Sequence, residues 1–224
     1  MHTARGDERD GSFPLPAWAR AAVWFGLVAV VLYVGSWAAA GHLQEGYDPA
    51  QQAISELFAR GAPWPSRGPL IAGLVLSGIA FLALAPALHR TLPGQGRLGP
   101  VLVVAAGIGT LGVVAAPCTD GCPGTGASTT DTWHAVWAGV GYGALALAPL
   151  AFSWRLRSRL PGLARWSASL GATGLALFGV YVLGLVEAAP GLQQRLFNTV
   201  ADGWYVLVAV WILRRDALAR RASP

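Results

Sequence analysis

Leu98-Gly-Pro-Val-Leu-Val-Val-Ala-Ala-Gly-Ile-Gly-Thr-Leu-Gly-Val-Val-Ala-Ala116 runs without a charged side chain. It is apolar on every face, so it offers no single stripe for burial against a soluble core. It shows no alternation either, which excludes a barrel strand. Its length approaches the roughly 20 residues that a helix needs to cross hydrocarbon. Five further runs of the same kind lie on either side: Trp18–Gly41, Pro69–Leu88, Trp133–Trp154, Leu163–Val186 and Leu196–Leu213. The pattern predicts an all-α fold, a polytopic membrane helical bundle of six transmembrane helices over residues 18–213. A disordered cytoplasmic tail is expected over 1–17 and a basic cytoplasmic tail over 214–224.

The composition agrees. Of 224 residues 54% are hydrophobic and only 12% are charged, against about a quarter charged in a soluble domain. The 29 glycines and 10 tryptophans suit helices packed closely in a bilayer with aromatic ends. No fixed-period repeat and no separate soluble domain is visible. The formal charge is +5, and all 16 basic residues are arginine. These arginines sit beside apolar runs without interleaved aromatics, so nucleic acid is not the expected partner. They set topology instead. Only Arg60, Arg67 and Arg195 fall in the odd-numbered loops, while the other arginines fall in the tails and even-numbered loops. The positive-inside rule then predicts both termini cytoplasmic, and a plasma-membrane location is expected. A cleaved signal peptide ending near Ala38-Ala39-Ala40 is the alternative for the first run; both its apolar stretch and its polar leader are long for that purpose. Arg155, Arg157 and Arg159 read as anchors at the inner surface, with anionic lipid headgroups as a secondary use.

Polar groups collect on the predicted outer face. The first outer loop contains Tyr47-Asp48-Pro49-Ala50-Gln51-Gln52-Ala53-Ile54-Ser55-Glu56-Leu57-Phe58. Asp48 suits an N-cap, Pro49 a first helical position and Gly61 a stop. Ala50, Ala53, Ile54, Leu57 and Phe58 make one apolar stripe. A short amphipathic helix is expected there, lying on the membrane surface or plugging the bundle mouth. The second outer loop holds the only cysteines, Cys118 and Cys122. A disulfide is the expected state in an oxidising compartment, with a reactive dithiol or a metal pair as alternatives. Asp131 and His134 share a face at the start of the fourth run. Asn198 and Asp202 share one on the sixth, with Asp202 deep enough that it must face the bundle or water.

Glu56, Asp120, Asp131, His134, Glu187 and Asp202 are therefore candidates for one outward-facing pocket. Asp48 and Asn198 join them as ligand-binding candidates. Asp131, His134 and Asp202 could hold a divalent metal that activates water for hydrolysis. Ser55, Glu56, His134 and Asp202 are the catalytic candidates. The bland readings are a hydrogen-bonded interfacial His134 and a solvated Ser55–Glu56 face. A haem would need two axial histidines at equal depth; only His42 and His134 approach this, and the absence of central histidines argues against it. Gly107-Ile-Gly109-Thr-Leu-Gly112 matches a dinucleotide fingerprint but lies inside a membrane run, where helix packing explains it. Gly139 and Gly143 read as a small-residue contact face.

The stretch Gly46-Tyr47-Asp48-Pro49 through Ile54-Ser55-Glu56-Leu57, set between two membrane runs, resembles a family of bacterial and archaeal membrane proteins, domain of unknown function 998. The six-run layout and the histidine opening the fourth run are also similar. The likeness covers roughly Trp18 to Leu213. It implies the membrane fold and no activity, and the Cys118–Cys122 loop is not part of it. The leading expectation is an outward-facing polar site that binds, or less simply hydrolyses, a small or lipidic ligand. Membrane lipids are the expected partners. A structural subunit and a transporter are the competing classes, and the near absence of ionisable groups in the inner halves speaks against a transport path.

Overall fold

The computed structural model describes residues 14–185 and 188–222. Six α-helices and no strand occur among them: α1 Ala17–Leu43, α2 Trp64–Thr91, α3 Leu98–Ala115, α4 Thr129–Leu156, α5 Pro161–Val182 and α6 Pro190–Ala222. Each packs against the next, and α6 returns to α1, so the six close into a ring. One end of the ring carries the connections after α1, α3 and α5 and is called here the cysteine end. The opposite end, with the connections after α2 and α4, is the arginine end.

Five of the helices, α1, α2, α3, α4 and α6, are long and apolar enough to cross a membrane, the make-up of a multi-pass membrane protein. The fifth helix is long enough at 22 residues. Arg165, Ser167, Ser169 and Thr173 dilute its apolar content, so it stands apart from the other five.

Glycine sets the closeness of the ring. A Cβ on Gly107 would meet the Gly78 carbonyl at 2.8 Å, and one on Gly109 would meet the Gly141 backbone nitrogen at 2.5 Å. A Cβ on Gly112 would run into the Trp137 ring. The dinucleotide-like glycines are thus the contact points of α3 with α2 and α4. Gly139 and Gly143 differ from expectation: a Cβ on either meets no atom within 4 Å, so both stand beside open space.

The first loop also differs from its predicted helix. Asp48–Gln52 forms a turn in which Asp48 Oδ1 accepts from the Ala50 N–H (2.8 Å). A five-residue 3-10 helix, Ile54–Phe58, follows. Its apolar residues do not rest on a membrane surface. Ile54, Leu57 and Phe58 are buried with Tyr33, Leu70 and Leu74, so the segment plugs the cysteine end against α1, α2 and α6. At the other end α6 continues past the expected stop at Leu213 to Ala222. Asp216 on this extension accepts from Arg20 Nε (2.8 Å) and from the Leu15 N–H (2.8 Å). The expected tail over 214–224 is therefore helical over its described part. Residues 1–13 of the expected N-terminal tail lie outside the described residues.

Candidate ligand cavity at the cysteine end

The loop that closes this end is held by one arginine. Arg195 lies on the first turns of α6, with its guanidinium reaching across to the first loop. It donates to the carbonyls of Pro49 (2.7 Å), Gln52 (2.9 Å) and Gly191 (2.9 Å), and to the Tyr47 hydroxyl. It also faces the Trp37 ring at 5.3 Å. Tyr47 in turn donates to the Gln52 and Ala53 carbonyls, both at 3.0 Å. Burial pushes the Tyr47 phenol above its ordinary value, opposed by the Arg195 guanidinium, so the hydroxyl stays a donor at neutral pH. Gly191 lets the loop approach: a Cβ there would meet the Pro49 carbonyl at 2.7 Å and collide with that of Gln52. Gln194 Oε1 accepts from the Ile54 N–H (2.5 Å), and its amide donates to the Tyr142 hydroxyl (2.8 Å).

Beneath the plug lies a cavity of about 680 Å³, within the range of small-molecule pockets. Its wall draws on all six helices, mostly with apolar and aromatic side chains. Of the catalytic and ligand-binding candidates, Ser55, Glu56, His134, Asn198 and Asp202 line it, and Cys122 does so as well. Asp48, Asp120 and Asp131 do not. Glu187 lies outside the described residues.

Each lining residue has its own role. Glu56 Oε1 accepts from the Ala53 N–H (2.8 Å) and its other oxygen from Gln52 Nε2 (3.1 Å). It caps the 3-10 helix and presents its remaining lone pairs to the cavity. His134 Nδ1 lies 2.9 Å from the Ala116 carbonyl. A carbonyl only accepts, so Nδ1 carries the hydrogen in the neutral ring and Nε2 keeps a free lone pair. Asn198 donates to the Tyr33 hydroxyl (3.3 Å). Asp202 is only 9% exposed, and its Oδ2 has no hydrogen-bond partner. One turn further along α6 the Tyr205 hydroxyl is buried in the same condition. Buried polar atoms are normally paired, so Asp202 stands out as an acidic side chain in the cavity wall whose buried oxygen is unmet by the fold.

Asp131 is used up by the fold. Its Oδ1 accepts from the Thr119 N–H (2.7 Å), and its Oδ2 from the hydroxyls of Thr119 (2.9 Å) and Ser128 (2.5 Å). Ser128 Oγ accepts in return from the Asp131 N–H (3.1 Å). Ser128 thus caps the start of α4, and Asp131 ties the cysteine loop to that cap. Cys118 and Cys122 are joined as a disulfide, with Cα atoms 5.1 Å apart. Among the described residues, the one group of three candidate ligands with metal-like spacing is Cys118, Cys122 and His134, whose ligand atoms lie within 4.8 Å of one another. Asp131 and Asp202 are not in that group. His42, the second candidate haem ligand, is exposed and is not part of the cavity wall.

Residues 27–211 match the family described as Protein of unknown function (DUF998). The chain belongs to this family. No curated protein and no solved structure matches it. In this member the Tyr47-Asp48-Pro49 and Ile54-Ser55-Glu56-Leu57 elements build the plug and its clamp: Asp48 and Glu56 cap, Tyr47 bridges, Leu57 fills. Sequence reading missed Arg195, Gln194 and Tyr142. Arg195 was one arginine among the topological set, although its place four residues after Gly191 on a helix start was a visible signal.

Proposed function

We propose that this chain is a six-span membrane protein that binds a small amphipathic ligand in the cavity under the Ile54–Phe58 plug. The observation that carries the reading is the Asp202 carboxyl: buried, unpartnered at Oδ2, and set in a wall otherwise rich in apolar and aromatic side chains. A charged-type side chain at that depth is costly unless something meets it. The α5 helix counts as the sixth span because it closes the ring between α4 and α6. Arginine placement supports an orientation with the arginine end and both termini cytoplasmic and the cysteine end outside, and the plasma membrane is the location proposed with it. The test is to purify the protein in mild detergent, extract it, and identify co-purifying small molecules by mass spectrometry. Wild type is expected to carry a compound in stoichiometric amount that Asp202→Asn and Gly139→Trp lose in large part. Retention that is indifferent to both substitutions would refute the reading.

A metal centre is the second reading, favoured by the approach of Cys118, Cys122 and His134 within 4.8 Å. Two thiolates and an imidazole suit zinc or copper(I). The sulfurs are bonded to each other, so binding first requires a two-electron, two-proton reduction of the disulfide by an external thiol. Zinc bound by thiol-reduced wild type and lost in His134→Ala would support it. Absence of zinc from reduced wild type would end it. Hydrolysis by Asp131, His134 and Asp202 is the weaker option, because the Asp131 oxygens are already occupied.

A further inference from the structure

The cavity reaches the surface at two places of opposite character. A residue that lines a cavity and is itself exposed marks an opening. At the cysteine end these are Gln51, Gly121 and Thr125, a polar mouth. On the flank they are Gly139 of α4 and Val182 of α5, the latter 61% exposed. The flank opening arises because α4 and α5 diverge. All buried residues of α5 lie between Leu163 and Gly174, where a Cβ on Gly171 would meet Leu150 at 2.8 Å. Beyond Gly174 no α5 residue is buried, and Gly139 and Gly143 on the facing stretch of α4 have nothing within 4 Å of a Cβ. The gap is rimmed by exposed Val136 and Val140. It lies below exposed Trp133 by six residues of helix, about 9 Å at 1.5 Å per residue. Tryptophan favours the interfacial layer, so the gap opens onto hydrocarbon.

Resting on the ligand-binding reading above, we infer that the ligand is a membrane lipid that enters sideways between α4 and α5 and carries a hydrogen-bond-donating head, a hydroxyl or an amine, to Asp202. The chain of such a lipid occupies the gap beside Gly139, Phe178 and Val182. The head reaches inward to a wall of Asp202, Asn198, Tyr142 and Glu56. No arginine or lysine lines this wall, so a phosphate or carboxylate head would lie against acidic side chains with no cation to offset it. The Asp202 carboxyl lines the cavity and offers an acceptor that an alcohol or amine head can meet with its own hydrogen. The apolar gap and the polar end thus select for chain and head separately.

The test uses the full chain reconstituted in phosphatidylcholine–phosphatidylglycerol vesicles. The probes are a long-chain alcohol with a diazirine in its chain and the carboxylic acid of equal length. After photolysis, labelled positions are mapped by peptide mass spectrometry. The alcohol is expected to label the inward residues Tyr142, Phe178 and Tyr181. Gly139→Trp, and independently Val182→Trp, should cut this labelling several-fold while leaving lipid-facing Leu147 and Leu175 labelled as before. Two substitutions on different helices, each checked for an unchanged elution profile, separate blockage from misfolding. Labelling confined to the lipid-facing positions, or inward labelling unchanged by both variants, overturns the lateral route. Equal inward labelling by the acid overturns the choice of head group. Inward labelling by a short water-soluble diazirine alcohol alone would leave the cavity as a binding site and overturn the lipid.

Discussion

Arg195 shows how much one side chain can organise. Its guanidinium meets three backbone carbonyls, a phenol and an indole face. A lysine has one nitrogen and no planar fork, so it cannot reproduce this set. Arg195→Lys is expected to cost about 2–4 kcal/mol, since hydrogen bonds to charged groups contribute about 1.5–3 kcal/mol each when buried partners are left open. Thermal unfolding in detergent checks this, with a melting temperature several degrees lower. Gly191→Ala should destabilise by about 1–3 kcal/mol through overpacking against the Pro49 and Gln52 carbonyls. If that variant melts with wild type, the close approach is not needed. Asp48 illustrates what sequence conveys at this scale: an aspartate before proline reads as a cap, and its side chain does take a backbone N–H, that of Ala50, but it closes a turn instead of opening a helix. Glu56 illustrates what it hides. Its side chain is pinned by Gln52 and the Ala53 N–H, a role set by a local backbone turn that residue types alone do not specify.

At the scale of elements, the apolar runs were legible because a bilayer imposes length and composition together. The plug was legible in part. Its apolar residues are those of the predicted stripe, but Asp48–Gln52 closes as a turn, and the chain then restarts as a 3-10 helix. Tertiary burial, not local periodicity, decides that geometry. Leu57 is 0% exposed, so Leu57→Ala should cost about 2–5 kcal/mol. It should also raise solvent accessibility at Ile54 and Phe58, measurable by hydrogen exchange. Gly139 and Gly143 show the limit of motif reading: the spacing of small residues marks a helix face but not whether a neighbour from the same chain covers it. The α4–α5 divergence depends on where α5 stops being buried, which no residue of α5 announces.

At the scale of the whole molecule, the ring is closed by α6 meeting α1, and the clearest lock there is ionic. The Asp216 side chain is fully buried, with Arg20 at 2.8 Å and Arg220 at 3.2 Å. Removing one partner of a buried pair costs more than the pair contributes. Asp216→Ala should therefore loosen the start of α1 and speed tryptic cleavage at Arg20; an unchanged cleavage rate would mean that packing alone holds this end. Which faces meet across the ring could not be read from the sequence, because the apolar runs that qualify as spans offer no stripe to orient them. The candidate site was accordingly legible as a set of residues at one end, not as a constellation. Of the set, the fold withdrew Asp131 into a cap and left Asp202 facing the cavity.

Arg155 carries a consequence for anyone who cuts the protein. It is buried, and its guanidinium donates to the carbonyls of His89 (2.8 Å), Leu92 (2.7 Å), Pro93 (3.1 Å) and Gly96 (3.1 Å). Arg157 and Arg159, two and four residues on, are exposed in a turn. Trypsin reads arginine only where chain and side chain can enter its cleft. The connection after α4 should thus be nicked at Arg157 and Arg159 and spared at Arg155. In sealed vesicles the same nick becomes a compass: it appears only when the arginine end faces the protease, and so reports which way the bundle stands in its membrane.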